Sequence, residues 1–358
     1  MPKSSLRRGR VTVAGAEDIV SRRPGIKDVA RAAGVSAATV SNFLNWPERV
    51  SKNTRSRIQG AVDTLGYVRS ESARQTRAKS SRLMGLIVLD MGNPFFVELA
   101  RGAEAKARER DLKMMLCDSV QDTDVETEYL SLFAEHRAFG VIVSSADVTG
   151  RSLSILSKNG IPFVRVDRAG TEKDACSVAV DDVAGSQAAM RHLIEAGHRR
   201  LVYVSGPSHL KQIQDRRTGA FRAISDSGIG SRALREIPVD RLDVAAGRDA
   251  AARILGFPER PTAVFCANDL LALGMLQTFF SARINVPNDI ALVGYDDIEF
   301  AAAAAVPLTS VRQPAAAIGG SSVKLLLQEA SGTPEEHRHQ HVLLQPELVV
   351  RNSSMLTL

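Results

Sequence analysis

The stretch that decides the fold of the N-terminal part runs from Ile26 to Asn45 and reads IKDVARAAGVSAATVSNFLN. Its apolar residues up to Ala33 recur at the spacing i, i+3, i+4 and i+7, which predicts one apolar helix face. Gly34 supplies the left-handed turn that ends this helix. Ser36 stands where its hydroxyl can cap a second helix. Two short helices joined by a glycine turn predict a helix-turn-helix.

The second helix has an inner and an outer face. Val40 and Leu44 are predicted to face inward, and Ser51 to cap a third helix that closes a small core and ends at Gly66. The outer face lacks large side chains, which lets a helix approach a DNA groove closely. Its residues are Ala37, Ala38, Ser41 and Asn42.

Charge is concentrated at the N-terminal end. Residues 1–82 hold 17 Lys or Arg against 6 Asp or Glu, whereas the remaining 276 residues hold 29 against 34. Residues 25–82 alone hold 11 Lys or Arg against 4 Asp or Glu, so the excess of positive charge does not come only from residues 1–24. We expect residues 1–24 to be a disordered basic leader. A basic end on a mildly acidic remainder is typical of nucleic-acid binding. The alternative is a small helical bundle with no nucleic-acid role.

From residue 83 onward, short apolar runs alternate with helical stretches. This alternation predicts an α/β body of two doubly wound parallel-sheet subdomains, with a ligand at the carboxyl ends of the strands. The sequence contains no Gly-x-Gly-x-x-Gly fingerprint, no Gly-Lys-Ser/Thr phosphate loop and no Gly-x-Ser-x-Gly elbow. We therefore expect neither a cofactor nor a catalytic residue. The predicted strands are Met84–Leu89, Lys113–Cys117, Val141–Ser144, Phe163–Val166, Leu201–Val204, Ala263–Cys266 and Ile290–Val293.

Membrane and metal signals are weak. No apolar run reaches eighteen residues and no secretory signal is visible, so we expect a protein of the cytoplasm, associated with the nucleoid and not with a membrane. The three cysteines stand far apart and are interpreted as small buried hydrophobic residues. His337, His339 and His341 alternate as on a strand and could suggest a metal. We interpret them as part of a solvated loop before the last strand and expect no metal ligand.

The residues then carry a resemblance to a known family. Val29–Ser41, with Asn45 following, resembles the DNA-binding domain of the lactose-repressor (LacI/GalR-type) family. The likeness extends over about residues 25–352 and includes Asn93-Pro94-Phe95-Phe96, Asn268-Asp269, Val293-Gly294-Tyr295-Asp296-Asp297 and Pro307-Leu308-Thr309. It implies a periplasmic-binding-protein-like pair of subdomains, and a homodimer that binds double-stranded DNA at a palindromic operator.

The resemblance assigns roles on the helix-turn-helix. The positions of Ala37, Ala38 and Asn42 lie against base edges in the major groove, and hydroxyl and amide residues at other positions contact the DNA backbone, fixing register. Many relatives have Arg where this chain has Asn42. Because Asn pairs best with adenine and Arg with guanine, we expect the operator of this protein to have a different base at that position from the operators of those relatives. The backbone-contacting positions are Ser36, Thr39, Ser41, Asn45, Ser51 and Thr54.

Residues 69–82 correspond to the family's hinge, which enters the minor groove. The usual Pro-Asn opening is Arg69-Ser70 here, and the position of the groove-wedging leucine is Thr76. An apolar wedge kinks DNA, and a threonine substitutes for it poorly. Arg74 supplies backbone charge nearby, so we include Arg74 and Thr76 among the DNA-binding residues.

The body is expected to hold a small-molecule effector, sugar-like in chemistry. Phe95 and Phe96 follow the first strand and can stack on the apolar face of a sugar ring, although a purely structural core role is an even alternative. Arg216 matches the family's effector-contacting arginine. The other expected contacts are polar groups at strand ends. The full predicted set is Asn93, Phe95, Phe96, Asp167, Arg216, Asn268 and Asp296.

Together these observations predict a transcriptional regulator, a repressor, controlled by the effector. The expected domains are the leader (1–24), the helix-turn-helix (25–68), the hinge (69–82) and the body (83–358), its subdomains being 83–180 with 309–340 and 181–308 with 341–352. The chain stops without a leucine heptad, so we expect a dimer and not a tetramer. A sugar-binding transport component and an α/β enzyme are the alternatives, disfavoured by the basic end and the missing motifs.

Overall fold

The computed structural model describes residues 24–68, 81–147, 149–166, 175–332 and 337–355. Its contacts divide the chain into two units, residues 1–79 and 80–358, which we call the head and the body. Three predicted site residues, Asp167, Arg74 and Thr76, lie outside the described residues, as do residues 1–23 of the expected leader and residues 69–80 of the expected hinge.

Within residues 24–68, the head forms three α-helices in the predicted positions: α1 (Ile26–Ala33), α2 (Ala37–Asn45) and α3 (Lys52–Leu65). The hydroxyl of Ser36 accepts a hydrogen bond from the backbone N–H of Thr39 at 3.1 Å and so caps α2. Gly34, with φ +63°, ends α1 in the left-handed conformation that glycine adopts without strain. The predicted helix-turn-helix is confirmed.

Three side chains with no exposed surface, Val29, Val40 and Ile58, form the centre of the head's core, one from each helix. Arg57 of α3 ties the helices together by donating hydrogen bonds to the carbonyl oxygens of Ala33 (2.5 Å) and Gly34 (3.1 Å). These are carbonyls that the end of α1 leaves without a helical partner.

One half of the body, the first lobe, contains the strands β1 (Leu83–Val88), β2 (Lys113–Asp118), β3 (Gly140–Ser144), β4 (Phe163–Val166), β5 (Cys176–Val180) and β11 (His341–Leu344), and the helices α4 (Pro94–Arg108), α5 (Thr123–Glu135), α6 (Ser154–Lys158) and α12 (Ala315–Ser331). The strands form a sheet in the order β11-β5-β4-β3-β1-β2. They are entirely parallel because helical crossovers connect most of them.

The second lobe contains the strands β6 (Leu201–Ser205), β7 (Leu234–Pro238), β8 (Ala263–Cys266), β9 (Ala291–Asp296), β10 (Thr309–Arg312) and β12 (Glu347–Val349), and the helices α7 (Asp182–Glu195), α8 (Lys211–Ser227), α9 (Val244–Leu255), α10 (Asp269–Ser281) and α11 (Glu299–Ala303). The strands form a sheet in the order β12-β10-β9-β8-β6-β7, parallel except that β12 runs antiparallel to β10. The predicted pair of doubly wound sheets is therefore confirmed.

In the described residues the chain passes between the lobes after β5, after β10 and after β11, and the last two crossings differ from expectation. Residues 309–312, expected in the first lobe, form β10 and pair with β9, and residues 341–344, expected in the second lobe, form β11 and pair with β5. Each strand completes its ladder before the chain crosses, so both crossings occur at strand carboxyl ends, about four residues later than expected.

Helices α4 and α12 of the first lobe approach each other closely through glycines. A Cβ atom on Gly319 of α12 would lie 2.0 Å from the carbonyl oxygen of Leu99, and one on Gly102 of α4 would lie 2.1 Å from that of Ala316. Only glycine permits this spacing. Within the described residues, no helix is long and apolar enough to cross a membrane.

Candidate functional site

The outer face of α2 carries the residues assigned to DNA bases. Ala38 and Asn42 are exposed, whereas Ala37 is half-buried and packs against the head's core. The expectation that Ala37 and Ser41 lie on the outer face is corrected in part, because both are half-buried and Ala37 packs against the three-helix core. Asn42 is the one residue of the three with an amide, and an amide can form the bidentate pair that identifies adenine.

Four of the six residues assigned to the DNA backbone lie at the starts of α2 and α3. The hydroxyls of Ser36 and Thr39 lie 2.9 Å apart, and the hydroxyl of Ser51 donates to that of Thr54 at the same distance. Each pair stands at a helix N-terminus, where free backbone N–H groups and the helix dipole attract phosphate. This placement gives both pairs the chemistry of phosphate contacts.

Asn45 and Ser41 interact with each other within α2. The amide nitrogen of Asn45 donates to the carbonyl oxygen of Ser41 at 2.7 Å and lies 3.3 Å from its hydroxyl. Both side chains are half-buried, and the bond fixes the orientation of the Asn45 amide at the last turn of the helix.

In the body, six predicted effector residues come together in one cleft between the lobes. Leu210 and Leu242 add apolar surface to its walls. The cleft lies at the carboxyl ends of strands from both sheets, where doubly wound folds bind ligands. The predicted residues that line it are Asn93, Phe95, Phe96, Arg216, Asn268 and Asp296, and Asp90, Gln121, Gln212 and Gln313 supply further polar groups.

Arg216 forms a buried ion cluster at the floor of the cleft. Its Nε donates to Asp182 at 2.8 Å, its Nη1 donates to the carbonyl oxygen of Ala267 at 2.7 Å, and its Nη1 lies 3.5 Å from Asp296. The guanidinium also stacks on the ring of Tyr295, 3.8 Å from its centroid. One cation thus faces two buried carboxylates.

Burial sets the protonation tendencies of this cluster. It raises the pKa of Asp182 and of Asp296, and the positive charge of Arg216 offsets part of that rise in both. Burial alone would lower the pKa of Arg216, but Asp182 and Asp296 raise it above the ordinary value. A polar ligand group that reaches this cluster meets charges with little solvent around them, so its interactions there are strong.

Asp296 connects the two lobes. It accepts hydrogen bonds from the amide nitrogen of Asn93 in the first lobe at 2.8 Å and from that of Gln313 at 2.7 Å. Its backbone has φ +104°, and Asp297 follows with φ +55°. Such values are strained for residues other than glycine and cluster at functional sites.

The aromatic pair and Asn268 also hold the cleft together. Phe95 and Phe96 are almost fully buried and meet edge to face, with centroids 5.1 Å apart, so they serve the core and the cleft wall at once. The amide of Asn268 caps α10 by accepting from Leu271 N–H at 2.9 Å, and it donates to the carbonyl oxygen of Leu242 at 2.9 Å.

The free space inside the cleft measures about 30 Å³. That volume holds one or two water molecules, whereas ligand pockets usually measure about 300–1,000 Å³. A ligand the size of a sugar therefore requires the lobes or the lining side chains to move apart.

The sequence did not indicate Gln313 of the cleft lining, nor Asp182 and Tyr295, which contact Arg216 beside the cleft. Asp182 follows β5, a strand that the sequence analysis did not identify, and Gln313 follows β10, also unidentified. Locating the carboxyl ends of these strands would have indicated both residues, because polar residues at such ends face the cleft. Tyr295 stood within the quoted family motif but was not assigned a role.

The histidines before β11 are not a solvated loop. The side chains of His337 and His339 are only 11% and 27% exposed, and both lie against Glu329 at the end of α12. His341 is separate, with its Nδ1 2.9 Å from the hydroxyl of Ser177. These contacts join different elements of the first lobe, which no periodicity argument could reveal.

Two family models match the chain. One, described as bacterial regulatory proteins of the lacI family, matches residues 25–70, and the other, described as a periplasmic binding protein-like domain, matches residues 190–354. The first covers the helix-turn-helix, and the second covers most of the second lobe together with α12 and the last strands.

Individual relatives match nearly the whole chain. The HTH-type transcriptional repressor PurR of Photobacterium profundum is 32% identical over 330 residues, covering 92% of this chain and 98% of the relative. The structure of the transcriptional regulator CelR in complex with cellobiose has a TM-score of 0.70 at 28% identity, covering 93% and 100%. The lac repressor dimer bound to operator and the anti-inducer ONPF has a TM-score of 0.79 at 24% identity, covering 94% and 100%, which shows a shared fold.

Proposed function

The chain belongs to the LacI family of bacterial regulatory proteins, and from that premise we propose how this repressor works. It binds palindromic operator DNA as a homodimer through the head, and its operator affinity depends on a small molecule held in the cleft of the body. The observation that carries the proposal is the convergence of six separately predicted residues, from both lobes, on that one cleft.

On the DNA side, the exposed amide of Asn42 reads a base and the hydroxyl pairs at the starts of α2 and α3 bind phosphates. The methyl group of Ala38 offers apolar contact, for instance with a thymine methyl group. The basic charge of residues 25–82 supplies the sequence-independent attraction, which makes affinity fall steeply with salt. Arg74 and Thr76 belong to the proposed hinge, residues 69–82.

On the effector side, we assign a sugar-like ligand. Phe95 and Phe96 supply aromatic surface for the apolar face of a ring, while Arg216, Asp296 and Asn93 supply charged and amide groups for hydroxyls. Asp167 and Asn268 complete the proposed set. The complex of CelR with cellobiose, a relative of the same fold, supports this ligand class.

The coupling between ligand and operator follows from the two lobes. A ligand that binds one arrangement of the lobes better than another shifts the equilibrium between them, and operator and ligand affinities are then linked reciprocally. The hydrogen bond of 2.8 Å between Asn93 and Asp296 joins the two lobes across the cleft. A ligand that enters must replace or reinforce this contact.

We also assign this protein a regulatory and not a catalytic role, in the cytoplasm and associated with the nucleoid. The named relative is a transcriptional repressor, which supports that assignment. The proposed domains are the helix-turn-helix (25–68), the hinge (69–82) and the body (83–358).

Selection of operator sequences from random DNA by the full-length protein tests the proposal. The selection is run alone and with panels of sugars and of nucleosides, and palindromic half-sites are expected, with at least one sugar changing operator affinity about fivefold or more. A nucleoside that alone changes the affinity would contradict the ligand class. Failure to enrich any palindrome would contradict the function itself.

A further inference from the structure

Four side chains with metal-binding chemistry meet at the amino ends of β5 and β11, at the opposite end of these strands from the cleft. They are Cys176, Glu329, His337 and His339, and one ligand atom of each lies within 4.8 Å of the other three. His337 Nε2 is 3.3 Å from Cys176 Sγ and 3.4 Å from Glu329 Oε1. His339 Nδ1 is 2.8 Å from the same carboxylate oxygen.

These separations match the size of a tetrahedral coordination shell. Zinc bonds of about 2.0–2.3 Å place neighbouring ligand atoms of a tetrahedron roughly 3.3–3.7 Å apart. Two of the three distances lie in that range, and the shorter contact between His339 and Glu329 needs to open by about half an ångström. That adjustment is within the freedom of a glutamate side chain.

Three separate elements hold the four residues in place. Cys176 begins β5, Glu329 lies in the last turn of α12, and the two histidines precede β11. The backbone N–H of Gln340 donates to Cys176 Sγ at 3.2 Å, and the backbone N–H of Cys176 donates to Glu329 Oε1 at 3.0 Å. Such outer hydrogen bonds orient ligands around a metal.

The cluster is also shielded from solvent. Cys176 has no exposed surface, the side chains of Glu329 and His337 are 12% and 11% exposed, and that of His339 is 27% exposed. Burial, with a contribution from Glu329, raises the pKa of the Cys176 thiol to about 12, so the free sulfur keeps its proton. A metal ion replaces that proton when it binds.

We propose that Cys176, Glu329, His337 and His339 form a binding site for a divalent transition-metal ion, with Zn²⁺ as the best match. A set of one thiolate, two imidazoles and one carboxylate suits zinc, whereas magnesium and calcium prefer oxygen ligands alone. Four protein ligands fill a tetrahedral shell, so the site is structural. The ion would fasten the end of α12 to the starts of β5 and β11.

The ligand spacing explains why the sequence did not indicate this site. Cys176 stands far from the other three ligands along the chain, and only the pairing of β5 with β11 brings them together. The sequence pattern suggested His341 as the third histidine, but that ring contacts Ser177 instead.

The test uses full-length protein stripped of metal with a chelator. Titration with Zn²⁺, followed by calorimetry, is expected to show one ion per chain with a dissociation constant below micromolar. Replacement by Co²⁺ is expected to give the absorption of a tetrahedral ion and a thiolate-to-cobalt charge-transfer band. Binding weaker than micromolar, or a cobalt spectrum without the thiolate band, would overturn the proposal.

Variants locate the site. Cys176→Ser is expected to abolish the charge-transfer band, whereas Cys117→Ser, which alters a buried cysteine outside the cluster, is expected to keep it. His339→Gln is expected to weaken Zn²⁺ binding at least about tenfold and His341→Gln to leave it unchanged. If Cys176→Ser fails to fold, wild-type melting decides: a Zn²⁺ concentration about a hundredfold above the dissociation constant is expected to raise Tm by about 5 °C. An unchanged Tm, or equal effects of the two histidine variants, would refute the site.

Discussion

Asn93 of the first lobe donates a hydrogen bond of 2.8 Å to Asp296 of the second lobe, across the cleft. Both side chains are buried, and the same Asn93 side chain caps α4 by accepting a hydrogen bond from the N–H of Phe95. The residue that starts a helix in one lobe therefore also holds the other lobe. Its two functions use different atoms, so a substitution can separate them.

Asn93→Asp is expected to loosen the closed cleft. The aspartate keeps an oxygen that caps α4 but loses the amide donor and faces a second carboxylate, which costs about 1–3 kcal/mol. Amide hydrogen exchange is expected to quicken at the segments on both sides of the cleft. The same change at Asn159, an exposed residue, is the control, and identical exchange in both variants would contradict the prediction.

Arg216→Met is expected to destabilise the body strongly. Removing the cation leaves Asp182 and Asp296 buried without their charge partner, and breaking a buried pair costs about 3–5 kcal/mol. The matched change Arg217→Met removes an exposed arginine paired with Glu236 and is expected to cost about 0–1 kcal/mol. Urea unfolding of both variants measures the difference. Equal free energies of unfolding would show that the buried cluster stabilises the body no more than the exposed ion pair does.

Two adjacent glycines of α12 are expected to respond oppositely to alanine. Gly319→Ala forces a methyl group against the backbone of α4 and is expected to destabilise the body by about 1–3 kcal/mol or more. The added Cβ of Gly320→Ala would lie 3.8 Å from its nearest neighbour, the carbonyl oxygen of Gly102, so this change is expected to be neutral or to stabilise by up to about 1 kcal/mol. Thermal melts of the two variants measure the difference in Tm. A lower Tm in Gly320→Ala alone would contradict the prediction that Gly319 is the glycine that the helix contact requires.

Stability is expected to fall as the pH decreases below about 6.5, the ordinary pKa of histidine. Burial lowers the pKa of His198, and the charges of His192 and Arg199 lower it further. A histidine whose pKa is lower in the folded protein stabilises the fold above its ordinary pKa, and this contribution is lost as the pH falls through the lowered value. His198→Gln is expected to flatten the pH dependence of the free energy of unfolding between about pH 7.5 and 5.

His192 behaves in the same direction, because burial lowers its pKa too, so the variant reduces the pH dependence without removing it. The control is His209→Gln, at an exposed position. A control variant that flattens the profile as much as His198→Gln would assign the effect to net charge instead of burial.

Asn42→Arg is expected to change the preferred base at one position of each operator half-site from adenine to guanine. The exposed amide favours adenine, and a bidentate arginine–guanine pair is worth about 1–3 kcal/mol of discrimination. Operator selection with both proteins measures the change. Gln59→Arg adds the same charge at an exposed position of α3. This change is expected to raise the affinity for DNA without changing the preferred base. A half-site that stays the same would remove Asn42 from base reading.

The sequence by itself determined the local elements and the outline of the two sites. The helix-turn-helix follows from the spacing of Ile26 to Ala33, the turn at Gly34 and the cap at Ser36, all of which act within a few residues. Buried parallel strands are recognisable as apolar runs because both of their faces are covered. Most of the proposed effector residues could be grouped because strand carboxyl ends meet at one edge of a doubly wound sheet, whereas Arg216 was indicated by the family resemblance.

Only the tertiary structure decided which strand joins which lobe and which distant side chains meet. Short strands such as β10 and β11 carry too little pattern to show their partners, so two crossings were misplaced. The bond between Asn93 and Asp296 joins residues 203 positions apart, and Cys176 meets His337 across 161 positions. Periodicity reports only the neighbourhood of a residue along the chain, whereas sheet order and the packing of the lobes bring such side chains within bonding distance.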